Sequence, residues 1–462
     1  MPERPDVIVI GGGLAGIAAA CELNAAGRDV LIVERGQTLG GKAGTRATAF
    51  GDFPIGPTSF NGRNPVFWRL LRHLELEDRA LKLSPRSAAR YIVRGGRLEA
   101  IHPNPLSVLT TGALSFGDKL SLARDFLSSH RGAGGEDESL DAFLERRFGR
   151  ALVDHFFGAV LTGIFAGDLK KLSAASCMPA LVTAEKEYGS VLRGMLNALR
   201  KPEDGSRPGL FTFEGGFAVV GEAAARRLPV RTGVEVTSLR VRPDGVTVTA
   251  RGAGGELQLS APHVILATEA FAAAPLLEGV APAAARVLAS FPYAPLALVQ
   301  WAERFPGESR LPEGFGYLSA PVENRFALGS MFVSDLLAET PRRFSTFVGG
   351  GVFPDRAALS DTELSRGCAQ DLETLTCGTL GEVTGVVRWP RGVFQPPVGH
   401  ALRMREVKDA LAGLPISLAG SYFGGAAMKD AIASGFAAAE AVLGRAAQPA
   451  PPPTPVLQEV RP

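Results

Sequence analysis

Apolar and polar positions change rhythm four times within the first 36 residues. Residues 7–10 (VIVI) form an unbroken apolar run, the pattern of a strand covered on both faces. Three glycines interrupt it. An apolar stretch at 14–26 (LAGIAAACELNAA) then predicts a helix, and a second strand at 30–33 leads into Glu34.

Further along, 104–205 is mostly helical in pattern, from NPLSVLTTGALSFGDKLSLARDFLSSH to DESLDAFLERRFGRALVDHFFGAVLTGIFAGD. Asp137, Glu138 and Ser139 supply the N-terminal cap region of the second stretch. GVEVTSLRVRPDGVTVTARG gives two strands around the turn Pro243-Asp244-Gly245, and HVILATEA follows as a buried strand. Short strand-like runs broken by Pro and Gly over 290–390 predict an antiparallel sheet. PISLAGSYFGGAAMKDAIASGFAAAEAVLG then repeats the opening order of strand, small-residue turn and long helix. The Pro- and Ala-rich stretch 446–462 predicts a disordered tail.

These pieces predict an α/β plus α+β fold: a discontinuous Rossmann-like dinucleotide-binding domain, an antiparallel-sheet substrate domain and a helical insertion. The dinucleotide domain is expected at 1–86, 206–273 and 391–445. The insertion takes 87–205 and the antiparallel sheet 274–390.

Composition narrows the function. The 462 residues are 46% hydrophobic and 21% charged, and 49 basic against 47 acidic residues leave a formal charge of +2. That balance gives no footprint for nucleic acid. MPERPD runs directly into the first strand, and no apolar run is long enough to span a bilayer, so a cytoplasmic protein is expected. Cys21, Cys177, Cys368 and Cys377 have no C-x-x-C spacing and are expected as reduced structural thiols. Six scattered histidines offer no metal-ligand spacing.

The glycines carry the first chemistry. Gly11, Gly13 and Gly16 form G-x-G-x-x-G between strand and helix. The first permits the turn, the second admits a pyrophosphate to the backbone, and the third lets helix and strand pack closely. The helix N-terminus offers free N–H groups to the phosphates. Glu34, 18 residues after Gly16, suits a ribose 2′-OH and repels a 2′-phosphate, which leaves FAD or NAD and excludes NADP. A second cluster, GGKAGT at 40–45 followed by GDFPIGPTSF at 51–60, brings more backbone amides to a ligand and favours FAD.

With GGGLAG, GGKAGT, IGPTSF, TGIFAGDLKKLS, FEGGFAVV, WPRGVFQPPVGH and SYFGGAAMKDAIASG in this order, the sequence resembles the oxygen-dependent protoporphyrinogen-oxidase family of the FAD-dependent amine-oxidase superfamily. The resemblance runs from about residue 6 to residue 445. It implies non-covalent FAD held by Gly11, Gly12, Gly13, Leu14, Ala15 and Gly16, with Glu34, Arg35, Gly41 and Lys42 beside them. Gly56, Pro57, Thr58, Ser59, the backbone of Val236, Gly420, Ala426, Ala427 and Met428 complete the implied contacts. On the substrate side it implies that Arg90 pairs with a propionate. Phe315, Leu318, Met331 and Phe347 would line an apolar macrocycle cavity, with Gly163 on its floor. A greasy ring with carboxylates at one edge needs such walls and one fixed cation.

No nucleophile or acid/base pair is implied by spacing, so the cofactor carries the chemistry. The implied reaction passes hydride from the porphyrinogen meso carbon to flavin N5 three times, with dioxygen reoxidising the flavin to give three peroxides and one porphyrin. Two departures bear on substrate choice. Gln395-Pro396 stands where the family often has Gln-Tyr, and Lys429-Asp430 where it often has Asn-Asp. Coproporphyrinogen oxidation, another flavin oxidase or desaturase activity, and a non-catalytic porphyrin-binding role stay open. The apolar segment Leu106, Val108, Leu109, Leu114, Phe116, Leu120 and Leu122 is compatible with either peripheral membrane contact or a buried helical pair. A homodimer is also compatible with the resemblance.

Overall fold

In the computed structural model, which describes residues 4–102, 111–129, 137–199, 205–425 and 427–445, five parallel strands form one sheet. Their order is Val230–Arg231, Val30–Val33, Val7–Ile10, His263–Leu266 and Ile416–Leu418. The strands come from three separate parts of the chain, as a discontinuous Rossmann-like domain requires. Their unbroken apolar runs are explained by cover on both faces. Val7, Val9, Val30 and Ile32 pack with the helices Leu14–Ala25 and Met428–Val442. Ile8, Ile10, Leu31 and Val33 pack with Ala270–Leu277, Pro282–Ala289 and His400–Leu411.

All strands of this sheet end at the same edge. The helices Leu14–Ala25 and Met428–Val442 both begin there, and they touch closely because residue 435 is glycine. A Cβ on Gly435 would stand 2.1 Å from the Ala15 carbonyl oxygen. In open α/β sheets this edge is where ligands bind.

Seven strands form the second sheet, in the order Glu382–Phe394, Tyr293–Ala302, Arg343–Gly349, Gly329–Phe332, Gly316–Ser319, Arg90–Arg94 and Arg97–Ile101. Its pairings are antiparallel except for Gly316–Ser319 with Arg90–Arg94. The expected division of the chain needs correcting here. The hairpin Arg90–Ile101 fell in the predicted helical insertion, yet it completes this sheet because Ile92 and Val93 are buried on its two opposite faces.

The predicted hairpin forms, with Arg242 paired to Gly245, and a third strand at Gly255–Ala261 joins it. The helix Leu140–Phe148 begins as expected at Ser139, whose Oγ accepts the Ala142 N–H at 3.2 Å. A π-turn at Val153–Phe157 leads into the helix Gly158–Phe165, which lies on the second sheet. Cys21, Cys177 and Cys368 are buried free thiols and Cys377 is an exposed one. Burial pushes the Cys21 thiol up to about 12, as expected of an unreactive structural thiol. The tail expected at 446–462, Ala426, and Leu106, Val108 and Leu109 lie outside the described residues.

Candidate active site

The first glycine turn is built as its spacing implies. Gly11 has φ +108°, and a Cβ there would stand 2.7 Å from the Ala267 carbonyl oxygen. A Cβ on Gly16 would stand 1.9 Å from the Gly11 carbonyl oxygen, and one on Gly12 would stand 2.4 Å from Leu39. Gly13 is different. It caps the helix Leu14–Ala25 in an ordinary extended conformation (φ −71°, ψ 177°), and a Cβ there would meet nothing within 4 Å. Neither backbone nor packing requires glycine at 13. No side chain caps this helix, and its first turn holds no acidic residue. Its first N–H groups therefore remain available to a phosphate.

Glu34 closes the turn from the neighbouring strand. Its carboxylate accepts the N–H groups of Gly12 and Gly36, each at 2.6 Å. Arg35 points outward, 3.9 Å from Glu235. Val234 donates to the Glu34 carbonyl at 3.0 Å, which brings the hairpin carrying Val236 to this side.

The second glycine cluster is laid against the first. Gly40 donates to the Gly12 carbonyl at 2.8 Å, and a Cβ on Gly41 would stand 3.4 Å from the Gly13 Cα. Gly56 is fixed in turn by the Lys42 carbonyl oxygen, 2.2 Å from where its Cβ would be. Thr58 is buried with its carbonyl held by Thr212 Oγ1 at 2.8 Å, while Pro57 and Ser59 are half-buried beside it. Gly420 follows the last parallel strand. Ala427 and Met428 open the helix Met428–Val442, where Asp430 accepts the Ala427 N–H at 3.3 Å. Leu14 and Ala15 are buried in the helix start. The residues fit a dinucleotide: two glycine strips laid against each other, an uncapped helix N-terminus and an acid beside them.

On the second sheet, pairing register decides which residues share a face. Gln300, Ser345, Met331, Gly316 and Arg90 occupy one row across five strands. Leu298, Phe347, Gly329, Leu318 and Ile92 occupy the next row on the same face. Leu318, Met331 and Phe347 are half-buried. Phe315 precedes Gly316, and the Arg90 guanidinium lies 5.0 Å from the centre of its ring. Gly163 rests over Leu318 from the covering helix. The structure thus places Arg90, Leu318, Met331 and Phe347 on one face, with Gly163 over Leu318 and Phe315 against Arg90.

That face also reaches the segment beside Gly56. Gln300 Nε2 donates to the Pro54 carbonyl at 2.8 Å and its Oε1 accepts from Arg46 at 2.9 Å. Trp389 Nε1 donates to the Ile55 carbonyl at 2.7 Å, next to Gly56. Gln300 and Arg90 are four strand spacings apart, about 19 Å. The row therefore runs from the second glycine segment to Arg90.

The family model described as flavin containing amine oxidoreductase matches residues 14–443, a span holding almost all the elements above. The chain belongs to this family. The chain is similar to several protoporphyrinogen oxidases. The Macaca fascicularis enzyme is 30% identical over 477 residues and the Bos taurus enzyme 28% over 488. Each alignment covers 95% of this chain and 98% of the relative. Among solved structures, a protein from Exiguobacterium sp. 255-15 described as a candidate protoporphyrinogen oxidase superposes with a TM-score of 0.79 at 22% identity. It covers 96% of this chain and 100% of its own. Cyclohexylamine oxidase from Brevibacterium oxydans superposes at 0.68 and 19% identity, covering 96% and 99%, so the fold is shared across the amine oxidoreductases.

As a flavin oxidoreductase of this family, the chain has features that its sequence motifs did not reveal. Glu269 follows the strand His263–Leu266 at the ligand edge and pairs with Lys42, Nζ to Oε1 at 2.5 Å. Tyr293 Oη donates to the other carboxylate oxygen at 3.1 Å and accepts the Ala270 N–H at 3.0 Å. Burial and the adjacent carboxylate hold this phenol well above its usual range, so it remains a donor. The readable signal for Glu269 was its place just past a buried strand. The two departures also have partners: the Pro396 carbonyl accepts the Ser173 N–H at 2.9 Å, and Lys429 pairs with Asp430 at 2.6 Å.

Proposed function

We propose that the chain is an FAD-dependent protoporphyrinogen oxidase that uses dioxygen and releases protoporphyrin. The observation that carries the reading is the shared face on which Arg90, Leu318, Met331 and Phe347 converge, joined through Gln300 and Trp389 to the segment beside Gly56. FAD, held non-covalently by the glycine strips, Glu34 and the start of the helix Met428–Val442, would supply hydride acceptance.

The protein's own residues bind and orient. Arg90 offers a planar donor fork to one carboxylate at the end of the row. The half-buried Leu318, Met331 and Phe347 would wall the ring and exclude water from it. Across the five strands Arg90 is the one charged residue in these two rows. The next charged residue along the second row is Glu99, opposite Ile92 on the edge strand, so these rows offer further carboxylates no second cation. A substrate with two propionates fits this face better than one with four, whose extra charges would be desolvated without partners.

The experiment loads the protein with FAD and follows porphyrin fluorescence and peroxide in air, with protoporphyrinogen or coproporphyrinogen as substrate. About three peroxides per porphyrin are expected, as three two-electron steps require, with the higher kcat/KM for protoporphyrinogen. Turnover that depends on an added quinone and makes no peroxide would overturn the oxidase reading. Equal kcat/KM values would overturn the specificity.

A peripheral membrane contact belongs to the same proposal. Among the described residues no helix is long and apolar enough to cross a membrane. The helix Phe116–Leu127, however, exposes Phe116 by 84%, Leu120 by 61% and Leu127 by 80% on one side. Co-sedimentation with anionic vesicles tests it: loss of binding in Phe116→Glu/Leu120→Glu is expected, and equal sedimentation would remove the contact.

A further inference from the structure

Lys42, Glu269 and Tyr293 belong to three different parts of the molecule. Lys42 lies in the second glycine strip, between Gly41, which abuts Gly13, and Ala43. Glu269 begins the helix Ala270–Leu277 at the ligand edge of the parallel sheet, but its carboxylate caps no N–H of that helix. Tyr293 is the first residue of the long strand Tyr293–Ala302, which carries Gln300 on the substrate sheet. One carboxylate holds the other two: one oxygen binds Lys42 Nζ and the other accepts from Tyr293 Oη. Tyr293 is held in place by the Ala270 N–H, and the Phe271 ring meets its own ring edge-on at 5.0 Å. About a third of the Lys42 side chain and a quarter of the Glu269 side chain remain exposed.

We propose that Glu269 is a positioning residue for the cofactor, acting through Lys42. A lysine on a four-carbon stem has many rotamers, and fixing one costs entropy at the moment a ligand binds. The Glu269 carboxylate, itself fixed by Tyr293, restricts that stem beforehand and keeps the ammonium beside the glycine strips. Lys42 then meets the anionic cofactor with less ordering left to do. The inference rests on the FAD reading and adds to it a residue outside the glycine motifs.

FAD itself is the probe. Its dissociation constant is measured by flavin fluorescence for wild type, Lys42→Met, Glu269→Gln and the double variant, with circular dichroism melts recorded in parallel. Each single variant is expected to weaken FAD by about tenfold, as loss of a charge-assisted contact does. The double variant should lie within about threefold of Lys42→Met, because a residue acting only through Lys42 has nothing left to position. A purely structural role would instead give losses that multiply. Wild-type FAD affinity in Glu269→Gln, or multiplied losses in the double variant, would overturn the proposal. A wild-type chain that takes up no FAD would overturn the cofactor reading and this proposal together.

Discussion

Gly163 and Leu318 touch so closely that no other residue fits at 163 without displacing the leucine. A Cβ on Gly163 would stand 2.4 Å from Leu318 Cδ2 and 2.8 Å from Cδ1. Gly163→Ala should turn Leu318 into the open side of the face, lower stability by about 1–2 kcal/mol and raise KM for porphyrinogen. Leu318→Ala in the same chain should relieve most of the stability loss, since the two positions share one contact. Thermal melts and KM values of the two single variants and the double check this. Additive losses would show that the contact is not the cause.

Gly13→Ala separates ligand approach from folding. The helix start has φ and ψ that alanine adopts, and the Cβ would enter empty space. Stability should fall by no more than about 1 kcal/mol, the cost of a poorer cap. FAD affinity should fall by about tenfold or more if the methyl group stands where, in the proposed site, the pyrophosphate would approach. Equilibrium dialysis with FAD beside a melting curve distinguishes the two effects.

Arg90 should act on binding more than on the chemical step. In the proposed role it would meet substrate in ground and transition states alike, so Arg90→Ala should chiefly raise KM. A charge-assisted pair at a partly wet rim contributes about 1.5–3 kcal/mol, or about ten- to a hundredfold in kcat/KM. Arg90→Lys should recover only part, since an ammonium lacks the planar fork and stacks less well on Phe315. An unaffected Arg90→Ala enzyme would remove this residue from the site.

His263 gives the parallel sheet a pH dependence. Burial lowers its pKa from 6.5 to about 4. The folded state therefore binds this proton less readily than the unfolded chain. Its stabilising contribution is complete above about pH 6.5 and is lost as pH falls from there to about 4, up to about 3 kcal/mol in total. Urea unfolding of wild type and His263→Gln at pH 7.5 and 4.5 should show a shallower decline in the variant. Parallel declines would contradict it.

What the sequence made legible was local. The strand, glycine turn, helix and Glu34 lie within one short stretch, so period and spacing expose them directly. The capped helix at Ser139 and the turn at Pro243-Asp244-Gly245 were readable for the same reason. Arg90, Leu318, Met331 and Phe347 were named through resemblance, because nothing near residue 90 announces a parallel pairing with Gly316–Ser319. That pairing placed the Arg90–Ile101 hairpin in the substrate sheet instead of the helical insertion. Glu269 escaped because its partners, Lys42 and Tyr293, are brought to it only by the docking of separate segments.

The central claim is redox turnover of a porphyrinogen on the bound flavin, and anaerobic mixing measures it most directly. FAD-loaded protein is mixed with excess protoporphyrinogen in the absence of oxygen while flavin absorbance and porphyrin fluorescence are followed together. The account predicts bleaching of the flavin band and about one porphyrin for every three flavins reduced, with colour returning when air is admitted. An unchanged flavin spectrum with the macrocycle bound would contradict it and make the chain a porphyrin carrier.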